Sequence, residues 1–348
     1  MGSDSTIATM DSYLIEYDQK KFLYVTSVET PFALSNKKLA IRNFEIQGDN
    51  IQETEMNPII SGYHVRNIFQ SKPHDETVYI VDHGIDVYPF PGGSALKINL
   101  ETKNVTEYTS LEGKFNFSGD AIVYKNNKYE VFVGINFVSF YRNGVRDEKI
   151  ENLLADIKEP QGFLSAVFFE MNNQLNLFLG VSDIYPKDHS ESKRNDYLLN
   201  LSDTNISCTP IERSVPWDWA TVYAGVDEKV PGLGRALKVT YHNPGFKEAR
   251  IGFYLIDQGF KFQEVPIQTP NIFINSWIPK FEFRGTDLSD LEIIALLRPT
   301  DGDGKYGFLK LTIGKNPTLE FEQVYLIGIH RIEEIVYGLN WELKLIKI

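Results

Sequence analysis

A short apolar strand recurs along the whole chain at a spacing of about fifty residues, and this period restricts the available folds more than any other feature. The copies are Phe22–Val25, Val78–Val81, Tyr129–Val133, Leu175–Leu179, Leu237–Thr240, Leu291–Leu297 and Leu343–Ile346. Most are preceded by a polar turn, such as Tyr17–Lys21, Lys125–Lys128, Glu170–Gln174 and Tyr337–Asn340. Asn-Asn and Gly-containing turns tolerate the positive φ of tight hairpins, so each is expected to join the apolar strand to an earlier one. A longer loop and two more strands follow most copies, as in 195–201 then 206–212, and 306–313 then 319–326. Four antiparallel strands per period of this length make a propeller blade.

The expected fold class is therefore all-β, a β-propeller of four-stranded antiparallel blades, with seven blades and an irregular or incomplete closing blade. A single domain over 1–348 accommodates blades at 10–57, 58–110, 111–153, 160–213, 215–268 and 272–327, with a partial one at 329–348. The closing blade is expected to stop after two strands, leaving an edge for residues 3–9 or further chain to cover. The fifth repeat is the least regular, because Gly225–Gly234 and His242–Gly245 interrupt it. The 18 Tyr and 23 Phe of the chain favour strands over helices.

Charge narrows the partner. With 35 Lys+Arg against 47 Asp+Glu and a net charge of −12, the chain does not build the basic face that nucleic acid requires. No segment approaches the ~18 consecutive apolar residues of a membrane-spanning helix. Met1–Thr6 has neither the basic region nor the long apolar region of a leader peptide. The single cysteine, Cys208, permits no intrachain disulfide and no cysteine-based zinc site, and its strand-like setting predicts a buried, inert thiol.

The stretch Val81–Leu100 carries a more specific pattern. A buried strand runs into Asp82-His83-Gly84, then a loop stiffened by Pro89 and Pro91 and released by Gly92-Gly93, then a second strand from Ala95. This unit resembles the second and third strands of a blade in the FG-GAP or VCBS repeat family, the propeller repeats of integrin alpha subunits and several lectins. The resemblance implies lectins, adhesins, receptors or carbohydrate-active enzymes as relatives. It also implies calcium in an Asp-x-Asn-x-Asp-Gly turn between the first two strands of a blade. The corresponding turns here, including Lys125–Lys128, Met171–Gln174 and Arg284–Asp287, have lost nearly all those carboxylates. No cofactor is therefore expected, apart from Ca²⁺ at Asp301 and Asp303, whose Asp-Gly-Asp-Gly run is a calcium loop or a plain hairpin turn.

Candidate ligand-binding residues concentrate in the loops after each apolar strand, which repeat geometry puts on one face. Asp82, His83 and Asp86 place two carboxylates and an imidazole beside Tyr88 and Phe90 in one shaped loop, either to hold a ligand or to cap the loop itself. Tyr185 belongs to a second such loop. Trp217 and Trp219 flank Asp218 on one side of an extended segment, an arrangement that suits a sugar ring or packing between blades. No Gly-x-Ser-x-Gly, His-Glu-x-x-His or P-loop occurs. The expected function is a non-catalytic binding or adhesion propeller, extracellular or surface-displayed, that recognises a glycan or protein. The alternatives are a glycosidase or polysaccharide lyase with paired carboxylates on the axis, and a structural module of a larger chain or assembly such as an extracellular or viral fibre.

Overall fold

A computed structural model describes residues 6–30, 39–54, 65–82, 95–108, 116–134, 137–155, 162–181, 195–201, 206–211, 213, 215, 219–243, 248–265, 276–299, 306–314 and 318–348. The described strands form a β-propeller of seven antiparallel blades met in sequence order, the second and third joined into one eight-stranded sheet. The first strands of the blades are Thr6–Tyr17, Val65–Lys72, Asn116–Tyr124, Phe163–Met171, Ala220–Val230, Phe281–Arg284 and Leu326–Ile332. The apolar copies seen in the sequence are the second strands of blades 1 to 6, from Lys20–Thr30 to Glu292–Pro299. First strands contact one another around the ring, and blades 2 and 3 pair directly in parallel through Ser71–Ala121 and Lys72–Ile122.

Burial explains why the second strands are predominantly apolar. Alternate side chains of a strand point to opposite faces, and here both faces meet another blade. In blade 1, Tyr24 packs with Ile68 and Ile80 of blade 2, whereas Leu23 and Val25 pack with Ile327 and Leu339 of blade 7. In blade 6, Ile293, Ala295 and Leu297 face blade 5 while Ile294 and Leu296 face blade 7. An apolar cluster fills each junction between neighbours, and the last one returns to blade 1.

The tight turns fall where polar pairs were read in the sequence. Lys125 and Asn126 (φ 47° and 65°) and Asn172 and Asn173 (φ 54° and 58°) turn between first and second strands. An α-helix, Glu148–Ala155, intervenes between blades 3 and 4; Glu151 accepts from the Phe140 amide at 3.1 Å and from Arg146.

The closing blade departs from the sequence expectation. It starts at Leu326 rather than 329 and has three strands, Leu326–Ile332, Ile335–Asn340 and Leu345–Lys347. Tyr337–Asn340, expected as a turn, is the interior of its second strand, and the turn is at Glu333 (φ 58°) and Glu334. Leu343–Ile346, expected as a second strand, instead leads into the third. Residues 6–9 do not add to this blade; they extend the first strand of blade 1 and pair with Ser27–Thr30.

Blades 7 and 1 are therefore joined by side chains. Besides the apolar cluster, Ser12 Oγ lies 2.8 Å from His330 Nε2 and Tyr337 donates to Asp49 at 2.7 Å, while Arg298 of blade 6 spans the joint by donating to Asp11 at 3.2 Å and to the Ile327 carbonyl of blade 7. Lys280 Nζ is 3.4 Å from His330 Nδ1, so Nδ1 accepts from the ammonium and Nε2–H donates to Ser12. Gly328 is required here because a Cβ would sit 2.1 Å from Ser12 Oγ. We expect Gly328→Ala to cost about 1–3 kcal/mol by overpacking. Adding Ser12→Ala should recover part of that loss, a coupling that chemical denaturation of the two single variants and the double variant measures.

Two buried histidines at blade joints make stability depend on pH. Burial holds His330 well below 6.5, with Lys280 adding to the effect, and burial pulls His242 down to about 3. His242 Nε2 accepts the Ile278 amide of blade 6 at 2.9 Å. Unfolded, each histidine binds a proton near 6.5, whereas folded it resists protonation. Their stabilisation is thus complete above about 6.5 and is lost as pH falls towards the folded values, by at most about 1.4 kcal/mol per pH unit for each histidine. Buried Asp120 and Asp196, raised by burial, act in the opposite sense. Subtracting the stability–pH curve of His330→Gln from that of the native chain should isolate a falling limb below pH 6.5; parallel curves would exclude it.

Candidate functional site

Because the first strands line the axis, the ring encloses a central cavity of about 800 Å³ with walls from all seven blades. Charged groups reach it from every blade but the fourth: Asp11, Lys72, Asp120, Asp227, Lys238, Lys280, Glu282, Arg298 and Arg331. Five of these form a continuous network across blades 5, 6 and 7. Lys238 Nζ lies 2.9 Å from Asp227 Oδ2 and 2.9 Å from Glu282 Oε2. Arg331 reaches Asp227 at 2.5 Å, and Lys280 reaches Glu282 at 3.4 Å.

The electrostatics follow from this packing. Burial alone would lower the Lys238 pKa, but Asp227 and Glu282 outweigh it and hold the ammonium charged well above its ordinary range. Burial would raise Glu282, but Lys238 and then Lys280 outweigh it and keep the carboxylate ionised. Tyr223, beside Lys238, is pushed up to about 12, chiefly by burial. Arg331 also stacks over Phe283, its guanidinium carbon 4.0 Å from the ring centroid.

A different pattern holds on the other wall. Lys72 Nζ lies 3.1 Å from Asp120 Oδ2, an oxygen that also accepts the Phe168 amide of blade 4 at 2.8 Å. Asp120 Oδ1 accepts the Ala121 amide at 2.9 Å. One carboxylate thus ties blades 2, 3 and 4 at the channel. Deeper in, Asp196 Oδ1 accepts from the Val181 amide (2.9 Å) and from Thr221 (2.7 Å), joining blade 4 to blade 5.

These positions bear on acid–base chemistry at the axis. A glycosidase pair needs one carboxyl protonated at working pH. Asp227 and Glu282 share one ammonium and Glu282 is held ionised, so these two act as counter-ions, whereas burial raises the carboxyl of Asp120 on the other wall.

Of the sequence-predicted residues, Asp82 ends the second strand of blade 2, with its backbone opposite Val65. His83, Asp86, Tyr88, Phe90, Tyr185, Trp217, Asp301 and Asp303 lie outside the described residues. Trp219 is 5% exposed, packed between blades 4 and 5 with Val215 and Leu237, and Arg250 lies over its ring at 5.5 Å. Its indole is a packing element, the second of the two roles the sequence left open for it. Cys208 is half-buried on an outer strand, and burial pushes its thiol up to about 11, so it stays protonated. Among the described residues no group of three His, Cys, Asp or Glu is placed to hold a metal, and no helix is long and apolar enough to cross a membrane.

Sequence reasoning missed the channel residues, which come together from blades far apart in the chain. One signal was present: Lys238 stands as a charge within the apolar strand Leu237–Thr240. Lys238→Met should remove the shared cation, leaving two buried carboxylates face to face, and lower unfolding free energy by about 3–5 kcal/mol in a denaturant titration.

No family model matches the chain, and no curated protein matches it in sequence. Among solved structures it is similar to the SapL1 lectin in complex with alpha methyl fucoside, at 8% identity and TM-score 0.46, over 92% of this chain and 97% of that one. It is similar to the β-propeller domain of the Trilobed protease from Pyrococcus furiosus, at 10% identity and TM-score 0.49, over 98% and 94%. A third likeness is to a GH32 β-fructofuranosidase of Bombyx mori, at 10% identity and TM-score 0.38, over 97% and 84%. Likenesses this distant do not say what this chain binds, and its fold rests on its own sheets.

Proposed function

We propose that this propeller is a binding module that recognises a glycan or a protein through one end of the ring. The observation that supports it is the difference between the two ends. At one end, first and second strands are joined by tight turns, including Asp18–Gln19, Lys125–Asn126, Asn172–Asn173 and Glu333–Glu334. At the other end second strands finish at Thr30, Asp82, Val181 and Pro299, and the chain resumes in strand only at Leu39, Ala95, Asp196 and Gly307. Connections longer than a hairpin needs, gathered at one end of a rigid scaffold, are where binding residues concentrate.

Those connections contain Phe32, Tyr88, Phe90, Tyr185, His189 and Arg194, side-chain types common at binding hot spots. Tyr88, Phe90, His83 and Asp86 form the proposed recognition core, with Tyr185 and Trp217 as neighbours. The likeness of Val81–Leu100 to an FG-GAP or VCBS blade belongs to the same proposal, as does display outside the cell or on a particle surface.

Changing His83, Asp86, Tyr88 and Phe90 together to alanine should abolish glycan-array or pull-down signal while leaving the thermal melt of the ring within a few degrees of the native one. Full retention of binding by this variant would move recognition to another surface.

A further inference from the structure

We propose that the central channel is itself a ligand site, for a small molecule carrying an oxyanion group such as a carboxylate, sulfate or phosphate. The site is independent of the loop end, since none of its residues belongs to those connections. Three features of the wall support it.

The first is charge. The chain as a whole carries −12, yet the channel is lined by five cations, Lys72, Lys238, Lys280, Arg298 and Arg331, against four carboxylates, Asp11, Asp120, Asp227 and Glu282. An acidic protein therefore concentrates a positive excess in a confined, low-dielectric space, where a field acts most strongly on a small ion.

The second is which partner of each pair reaches the cavity. Lys72 is 38% exposed and its carboxylate Asp120 7%; Lys280 is 26% and Glu282 9%; Arg331 is 23% and Asp227 11%. Arg298 with Asp11, and Lys238 with both Asp227 and Glu282, run the other way. In three pairs of six, those of Lys72, Lys280 and Arg331, the carboxylate is recessed into the blades and the cationic head is presented, so an anion approaching these three meets ammonium and guanidinium before it meets carboxylate.

The third is spare donor capacity held in place. Lys280 has three N–H donors, and its two polar contacts, Glu282 and neutral His330, are both long at 3.4 Å. Arg331 spends one donor on Asp227 while Phe283 fixes the plane of its guanidinium, leaving the fork that suits an oxyanion. His330 contributes by accepting from Lys280, which orients the ammonium without neutralising it. A cavity of about 800 Å³ is of the size that takes a sugar acid or similar small molecule rather than a bare ion alone.

The test is calorimetric titration of the full chain at pH 7.5 and constant ionic strength with sodium sulfate, sodium phosphate, galacturonate and, as a neutral control, galactose. We expect saturable binding of at least one of the three anions, none of galactose, and at least tenfold weaker binding in Lys280→Gln and in Arg331→Gln. Galacturonate binding would mark a sugar-acid ligand, and sulfate or phosphate binding without galacturonate an inorganic or esterified oxyanion. A thermal melt checks that each variant folds; Lys72→Gln, on the opposite and more exposed wall, provides the same readout if the others do not. Absence of saturation with all three anions, or affinities unchanged in folded variants, would overturn the proposal. So would loss of anion binding in the His83, Asp86, Tyr88 and Phe90 alanine variant, whereas its retention separates this site from the loop end.

Discussion

Burial of each second strand on both of its faces is the constraint from which the rest of the ring follows. Tyr24 and Tyr79 point one way from their strands while Val25 and Val78 point the other, and each side meets a different neighbour. A strand in this position has no solvent face, so its residues read as an unbroken apolar run. It also cannot stop at an open edge, because a terminal blade would expose one of those faces. The chain answers by bringing Ile327 and Leu339 of blade 7 against Leu23 and Val25 of blade 1. Closure is achieved by apolar contact with polar reinforcement from Ser12, His330, Asp11 and Arg298, and among the described residues no strand is exchanged between blades 7 and 1.

Polar groups enter this architecture only where it leaves them a route to partners. At the axis the first strands converge and their side chains can no longer pack as apolar layers, since seven strands around a cavity leave space unfilled. The charges there are paired across blades: Lys72 to Asp120, Lys238 to Glu282, Asp227 to Arg331, Arg298 to Asp11. A buried ion network of this kind contributes little net stability compared with an apolar substitute, but it penalises misplacement of any one member severely. Asp227 and Glu282 come from blades 5 and 6, and both require Lys238. The network therefore fixes the register of these blades about the axis, an arrangement that apolar contacts alone would tolerate in several variants.

Most of the ring was legible in the sequence because its signals are local and periodic. Val78–Val81, Tyr129–Val133 and Leu175–Leu179 announce themselves as apolar runs, and Lys125–Asn126 and Asn172–Asn173 announce positive φ by residue type. The closing blade was misread for an equally physical reason. Gly338 looks like a turn residue beside Asn340, but it is a strand residue whose missing side chain makes room for Leu326, whose Cδ2 a Cβ there would approach to 2.8 Å. The true turn is Glu333–Glu334, a pair with no conventional signal for the φ of 58° that Glu333 adopts. The sequence left Trp219 open between two roles because strand alternation describes which side a residue takes and not what covers that side. The channel charges were beyond local reading altogether, since Asp11 and Arg298 are brought together only by closing the ring.

The two ends of the ring and its axis thus impose different demands on the chain. Tight turns at one end spend residues only on reversing direction, and their identities are set by backbone conformation, as the left-handed Asn172 and Asn173 show. At the opposite end the connections from Asp82 to Ala95 and from Val181 to Asp196 exceed what reversal requires. Their strand roots are nevertheless held rigidly, since Val81 is fully buried and Asp196 accepts the Val181 amide at the base of its loop. A long segment on a fixed root can change in sequence without disturbing the blade junctions, because those junctions depend on the strands. The axis lacks that freedom, since every charge there answers to a partner on another blade. Any ligand that enters the channel must be accommodated by groups already committed to holding the ring together, which ties occupancy of that cavity to the stability of the whole propeller.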